Sequence, residues 1–184
     1  MKTIADHLFD ILENSVNANA NKIIVKLSYY NKIFSAQIID NGVGTDLINI
    51  TDPFVTSKKT RKVGLGLPLL KSTAEATGGF LKITPLKEKP GTCVEFKIDM
   101  SHIDARPFGD IPAVFTDALL SWPELNLEVI IIKSKKEEKI LDTVKLKKEL
   151  KIDNLSDIEL LDCLKKKMSR ELNEIGIDQQ FGTI

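Results

Sequence analysis

The chain has 184 residues, 42% of them hydrophobic and 28% charged, and its 26 basic and 26 acidic side chains cancel to a net charge of zero. That balance excludes a largely disordered chain. It also argues against bulk electrostatic binding to nucleic acid or an anionic membrane, leaving room only for a local basic patch.

The length suits one ordinary domain, or one compact domain with a small appendage. Residues Met1 to His7 lack the apolar run of a secretory signal, and no segment approaches the roughly 20 apolar residues that span a bilayer. A cytoplasmic protein is expected. Cys93 and Cys163 stand apart, with no CxxC pair or nearby His, so they read as reduced filler rather than metal ligands or a disulfide.

In chain order, Ile4 to Ala18 predicts an amphipathic helix. Ile4, Leu8, Ile11, Leu12 and Ser15 fall on one side, and Asp6, Asp10, Asn14 and Asn17 on the other. Lys22 to Tyr30 and Ile33 to Asp40 are rich in β-branched and aromatic residues, with Asn31-Lys32 as the hairpin turn between them. From Gly64 the run Leu65, Leu69, Leu70, Thr73, Ala74 and Thr77 suits a helix that stops at Gly78-Gly79. Phe80 to Leu86 and Thr92 to Ile98 read as strands joined through Lys89-Pro90-Gly91. Ser101 to Asp110 reads as a linker.

Beyond it, Ile111, Val114, Phe115, Ala118 and Leu119 mark a helix, Leu125 to Lys133 a strand, and Ser134 to Lys139 a charged turn. A short helix begins near Asp142-Thr143. A long one is expected from Ser156, with Glu159 three residues on as a capping box. In it Leu161, Leu164, Met168, Leu172 and Ile175 recur at alternating spacings of three and four before Gly176 stops the helix. This seam either docks within the chain, the favoured reading, or pairs with a second copy in a homodimer. The order of elements predicts an α/β fold in two units, residues 1–104 with a mixed sheet covered by helices on one face, and residues 105–184 as a small α/β appendage of unassigned role.

Two glycine motifs carry chemistry. Val63-Gly64-Leu65-Gly66-Leu67 follows Ile39-Asp40-Asn41-Gly42-Val43-Gly44 at short range, with a basic loop between them. Glycine lets backbone approach a base or phosphate closely, and a helix starting after such a turn directs free N–H groups and its positive end at an anion. Each motif alone also fits a common tight turn. Asp10 and Asn14, four apart, project from one helix face, where a carboxylate and an amide oxygen suit water or Mg²⁺; the same pattern fits a plain solvated face.

Taken in order, Phe9 to Ala18, Asp40-Asn41-Gly42-Val43-Gly44, Asp52-Pro53-Phe54-Val55-Thr56-Ser57-Lys58-Lys59, Gly64-Leu65-Gly66-Leu67 and Gly91-Thr92 resemble the ATP-binding domain shared by DNA gyrase, heat-shock chaperones of the ninety-kilodalton class, histidine kinases and mismatch-repair ATPases, the GHKL superfamily. The resemblance covers roughly residues 4 to 99. It implies the two-layer α/β sandwich known as the Bergerat fold, with ATP and Mg as cofactors. Asn14 would be the Mg²⁺ ligand and Asp10 the water-activating or substrate-polarising residue. Asp40 would accept a hydrogen bond from the adenine amino group, and Gly42 and Gly44 would let the chain pass beside the base. Residues Thr45 to Val63 would form a lid, with Thr56 and Lys58 at the phosphates; Gly64 and Gly66 would hinge it, and Leu65 and Leu67 would also line the nucleotide site. Asn17 and the Thr92 hydroxyl would lie near the nucleotide.

Some positions depart from that pattern. Hydrolytic members with an "ENSxDA" helix carry Glu where this chain has Asp10, and Asn17 replaces an acidic residue. Losing a methylene can move the base off its water, and a misplacement of about 1 Å can cost on the order of a hundredfold. Glu13 lies on another azimuth and does not replace it. The "DPF" lead-in and the Gly64 to Leu67 stretch look closer to histidine kinases, but no helix with a phosphoacceptor His precedes the first helix. His7 and His102 both read as incidental exposed residues, so a phosphoacceptor is expected on a partner protein. Stand-alone domains of this kind also resemble anti-sigma factors that phosphorylate Ser on a partner. More loosely, the whole chain is similar to short bacterial ATP-binding proteins that accompany iron-hydrogenase subunits. The resemblance thus implies a protein kinase acting in trans or, alternatively, a nucleotide-gated binding module with little turnover.

Overall fold

The computed structural model describes residues 1–43 and 66–177. Helix α1 spans Ile4–Asn17, strands β1 and β2 span Lys22–Tyr30 and Ile33–Asp40, and helix α2 spans Gly66–Ala76. Strands β3 (Phe80–Pro85) and β4 (Thr92–Asp99) follow, then α3 (Ile111–Ser121), β5 (Asn126–Lys133), β6 (Lys136–Asp142), α4 (Thr143–Leu150) and α5 (Ile158–Glu174).

The strands form one six-stranded sheet in the order β3-β4-β2-β1-β5-β6. Only β1 and β5 run parallel; the other neighbours are antiparallel. Strand β2 buries every second residue, Phe34, Ala36, Ile38 and Asp40, and β4 does the same with Thr92, Val94, Phe96 and Ile98. That period of two puts one face of the sheet under the helices and leaves the other to solvent. Above the covered face, α2 packs on α1, α1 on α3 and α3 on α5, a single helical layer. Each large side chain buried there contributes about 1.5–3 kcal/mol.

The hairpin turn falls at Asn31 and Lys32, both at positive φ (48° and 63°), as a two-residue turn requires. Helix α1 opens with a capping box in which the Thr3 side chain and the Asp6 side chain each accept from the other's backbone N–H. Two expectations need correction. The charged turn expected over 134–139 is confined to Ser134 and Lys135, and Lys136–Asp142 is the edge strand β6. Its Lys and Glu residues mask the strand signal because an edge strand carries charge freely; Glu137 pairs with Lys26, Glu138 with Lys133, and Lys139 with Glu128. The cap of α5 is Asp157 rather than Ser156, since the Asp157 carboxylate accepts from Leu160 N–H at 2.8 Å while Ser156 turns back to Asn154.

The step from residue 104 to 105 lies in the connection between β4 and α3. Past it, β5 returns beside β1 with Val129 opposite Val25, so residues on both sides contribute to one sheet and one apolar core. Leu161, Leu164, Met168 and Leu172 of α5 are buried in that core, so the seam docks within the chain. Phe9 of α1 stacks on Trp122 just past α3, ring centroids 5.6 Å apart.

Candidate functional site

Asp40 ends β2 on the covered face, where the pleat puts a carboxylate in line with Phe34, Ala36 and Ile38. It is 6% exposed. Burying it demands donors, and three arrive from three chain segments. Gly42 N–H (2.9 Å) and Thr92 N–H (3.2 Å) donate to Oδ1, and the Ser15 hydroxyl of α1 donates to Oδ2 (3.0 Å). The neighbouring Asn41 accepts from the N–H groups of Asn21 and Lys22, which closes the β2 end onto the start of β1. Val43 N–H reaches the Ala18 carbonyl at 2.9 Å, tying the loop to the end of α1.

Glycine is required at two places here. A Cβ on Gly42 would lie 2.7 Å from the Ala18 carbonyl oxygen. Gly91 sits at φ +141°, a region L side chains rarely adopt, and a Cβ there would strike the Asp40 carbonyl. Thr92 therefore meets Asp40 through its backbone, and its side chain is buried.

A second cluster lies along α1. Asn14 Nδ2 donates to Asp10 Oδ2 at 3.0 Å, as the four-residue spacing allows. Gly66, the first residue of α2, abuts that carboxylate so closely that any Cβ would overlap it. The positive end of α2 thus meets the face of α1 that carries Asp10 and Asn14. Leu67 packs against the core, and Asn17 is exposed at the end of α1. Gly44, Thr56, Lys58, Gly64 and Leu65 lie outside the described residues. Between α1 and α3 lies a groove of about 740 Å³, lined by Asp6, Asp10, Glu13, Asp110 and Asp117 among others, so Asp10 borders both this groove and the start of α2; neither Asp40 nor Asn14 lines the groove.

The donor set fits a magnesium nucleotide. With the Asn14 nitrogen turned to Asp10, its amide oxygen is of the kind a hard cation accepts as a ligand. Among the described residues no group of three His, Cys, Asp or Glu side chains forms a metal cage, and Mg²⁺ commonly takes one or two protein oxygens and completes its shell with phosphates and water.

Sequence reasoning missed two things. Ser15 falls on the apolar stripe of the predicted helix, and a hydroxyl on such a stripe, facing a strand that ends in Asp, is the sequence signal of this contact. His7 is not exposed but 2% accessible, and its Nδ1 has no hydrogen-bond partner. Burial, first of all, holds its imidazole down at about 4. His102 is exposed and lies 3.6 Å from Asp104. Both cysteines are free thiols.

The sequence family described as histidine kinase-, DNA gyrase B- and HSP90-like ATPase matches residues 3–102, more than half of the 184. The chain belongs to that family. Among solved structures, it is similar to full-length ShkA in complex with AMPPNP (21% identity, TM-score 0.41, covering 50% of this chain and 20% of that one). It is also similar to the nucleotide-free catalytic domain of the histidine kinase ThkA (20% identity, TM-score 0.41, 52% and 64%). A third is the mycobacterial sensor histidine kinase MprB (22% identity, TM-score 0.37, 49% and 67%). The chain therefore spans between a fifth and two thirds of the length of these proteins. Among curated proteins none matches.

Proposed function

We propose that this chain binds Mg·ATP and passes the γ-phosphoryl group to a partner protein in trans, with residues 1–104 holding the nucleotide and 105–184 forming an appended α/β portion. The observation that carries the reading is the buried Asp40 carboxylate, held by three donors at the end of strand β2 beside two obligatory glycines. In this reading Asp40 takes the adenine amino group, Asn14 holds the Mg²⁺ that neutralises the phosphates, and Asp10 polarises the attacking group of the acceptor. Magnesium supplies charge neutralisation of the transferring group; the chain supplies position, and phosphoryl transfer asks for little more. Asp10, Asn14 and the start of α2 lie together, which supports an acceptor side at the α1–α2 junction.

A nucleotide-gated switch with little turnover is the second reading. The bond between Asp10 Oδ2 and the Asn14 amide favours it, because it ties the shortened base to the metal-side residue.

Thermal melting with increasing Mg·ATP tests binding. Stability should rise by about 2.7 kcal/mol at a ligand concentration 100 times Kd, and Asp40→Asn should abolish the rise. No shift at millimolar nucleotide defeats the proposal. Incubation with γ-labelled ATP and co-purifying proteins then separates the readings: label on a partner, lost in Asn14→Ala, supports transfer, and binding without label supports the switch.

A further inference from the structure

We propose that Ser15 is a positioning residue for purine selection, acting through Asp40. The inference rests on the reading that Asp40 meets the base. A buried serine in a helix ordinarily satisfies its hydroxyl on the carbonyl four residues back. Ser15, 5% exposed, instead crosses to the sheet and donates to Asp40 Oδ2 at 3.0 Å.

The consequence follows from counting lone pairs. An ionised carboxylate only accepts, at about four positions. Gly42 and Thr92 fill the Oδ1 side, and Ser15 fills one position on Oδ2. Because these donors come from β4, the loop after β2, and α1, turning the carboxylate about its Cβ–Cγ bond breaks all of them together. A single acceptor direction is left on Oδ2, fixed in space. A purine that offers an amino N–H there is satisfied; one that offers a carbonyl oxygen, such as hypoxanthine, sets acceptor against acceptor. The Ser15 proton is already committed to Asp40 and is not offered to that oxygen. Ser15 therefore sharpens the preference for an amino-purine without touching the base.

Its neighbour Asn14 lies about 100° around the helix, given 3.6 residues per turn, so the hydroxyl and the metal-side amide occupy different faces of α1. Changes at Ser15 should leave magnesium dependence alone.

The test is calorimetric titration of the full chain with Mg·ATP and Mg·ITP, which differ only in amino against oxo at the six-position apart from the accompanying ring proton. Ser15→Val and Ser15→Thr are nearly equal in volume and differ in the hydroxyl. We expect Ser15→Val to lower the ATP-to-ITP affinity ratio about tenfold, the weight of one hydrogen bond to a charged acceptor, and Ser15→Thr to keep it. Ser15→Ala, which only removes an atom, should show the same fall if the larger side chains do not fold. A merely structural role would weaken both nucleotides alike and leave the ratio unchanged, which overturns the proposal. Equal shifts in the Val and Thr variants also overturn it, since volume and not the hydroxyl would then be responsible. If the wild-type chain binds neither nucleotide, or both equally, base recognition by Asp40 fails first and Ser15 with it; discrimination in wild type that survives in Ser15→Ala and Ser15→Val defeats Ser15 alone.

Discussion

Residues 3–102 and the segment after them share a sheet and a core, but they treat buried polar groups differently. In the later segment the buried hydroxyls of Thr143 and Thr116 are paired with backbone groups, as is that of Thr77 in the earlier one. Thr143 Oγ1 accepts from Leu127 N–H and donates to the Leu125 carbonyl, and Thr116 bonds carbonyls of its own helix. Nothing in those pairs is directed outward. In the earlier segment Asp40 gathers donors from separate elements and keeps acceptor capacity, Asn14 keeps its amide oxygen, and His7 has an unmet Nδ1. Unequal satisfaction of polar atoms inside one fold is the contrast on which the proposed division between a nucleotide-holding part and a bracing part rests.

Mutation can break that contrast. The largest effect should come from Met168→Ala in α5, a fully buried side chain whose loss costs about 2–5 kcal/mol. Denaturant unfolding should register it while the ATP-to-ITP ratio stays constant; a changed ratio would show that the bracing segment shapes the site.

His7→Leu should act through pH. The folded imidazole is held at about 4, below its ordinary 6.5, so between those values the unfolded chain binds more protons and stability is lost as pH falls. Replacing it should remove a loss of up to about 3 kcal/mol over this window, seen as a smaller fall in melting temperature from pH 7 to pH 4 than in the wild type.

Thr143→Val, which strips Leu127 N–H of its acceptor, should cost about 1–3 kcal/mol with no change in nucleotide preference. It is the bracing counterpart of the Ser15 substitution. The smallest effect belongs to Lys26→Met on the open sheet face. Its pair with Glu137 is solvent-screened and should contribute about 0–1 kcal/mol, less in high salt, by urea unfolding at two ionic strengths.

How much of this was legible in the sequence differs along the same line. β-Branched alternation gave β1 and β2 their bounds, and the four-residue spacing of Asp10 and Asn14 already implied a shared face. Strand β6 was hidden because Lys136 to Lys139 carry charges that only a partner strand and Glu128, Lys26 and Lys133 explain. The roles of Ser15 and His7 were hidden for the opposite reason. Helical periodicity says which azimuth a residue occupies, but not that a strand-end carboxylate lies opposite one of them or that the other is sealed from water. Long-range placement decides both.

The most direct test is NMR titration of amide-labelled protein with a Mg²⁺ complex of a non-hydrolysable ATP analogue, following the Gly42 and Thr92 amides that donate to Asp40. We expect these two to be among the largest shifts, and to fall silent in Asp40→Asn. Shifts confined to Ala113 and Asp117 in the groove between α1 and α3, with Gly42 and Thr92 unmoved, would contradict the assignment of Asp40 as the residue that reads the base.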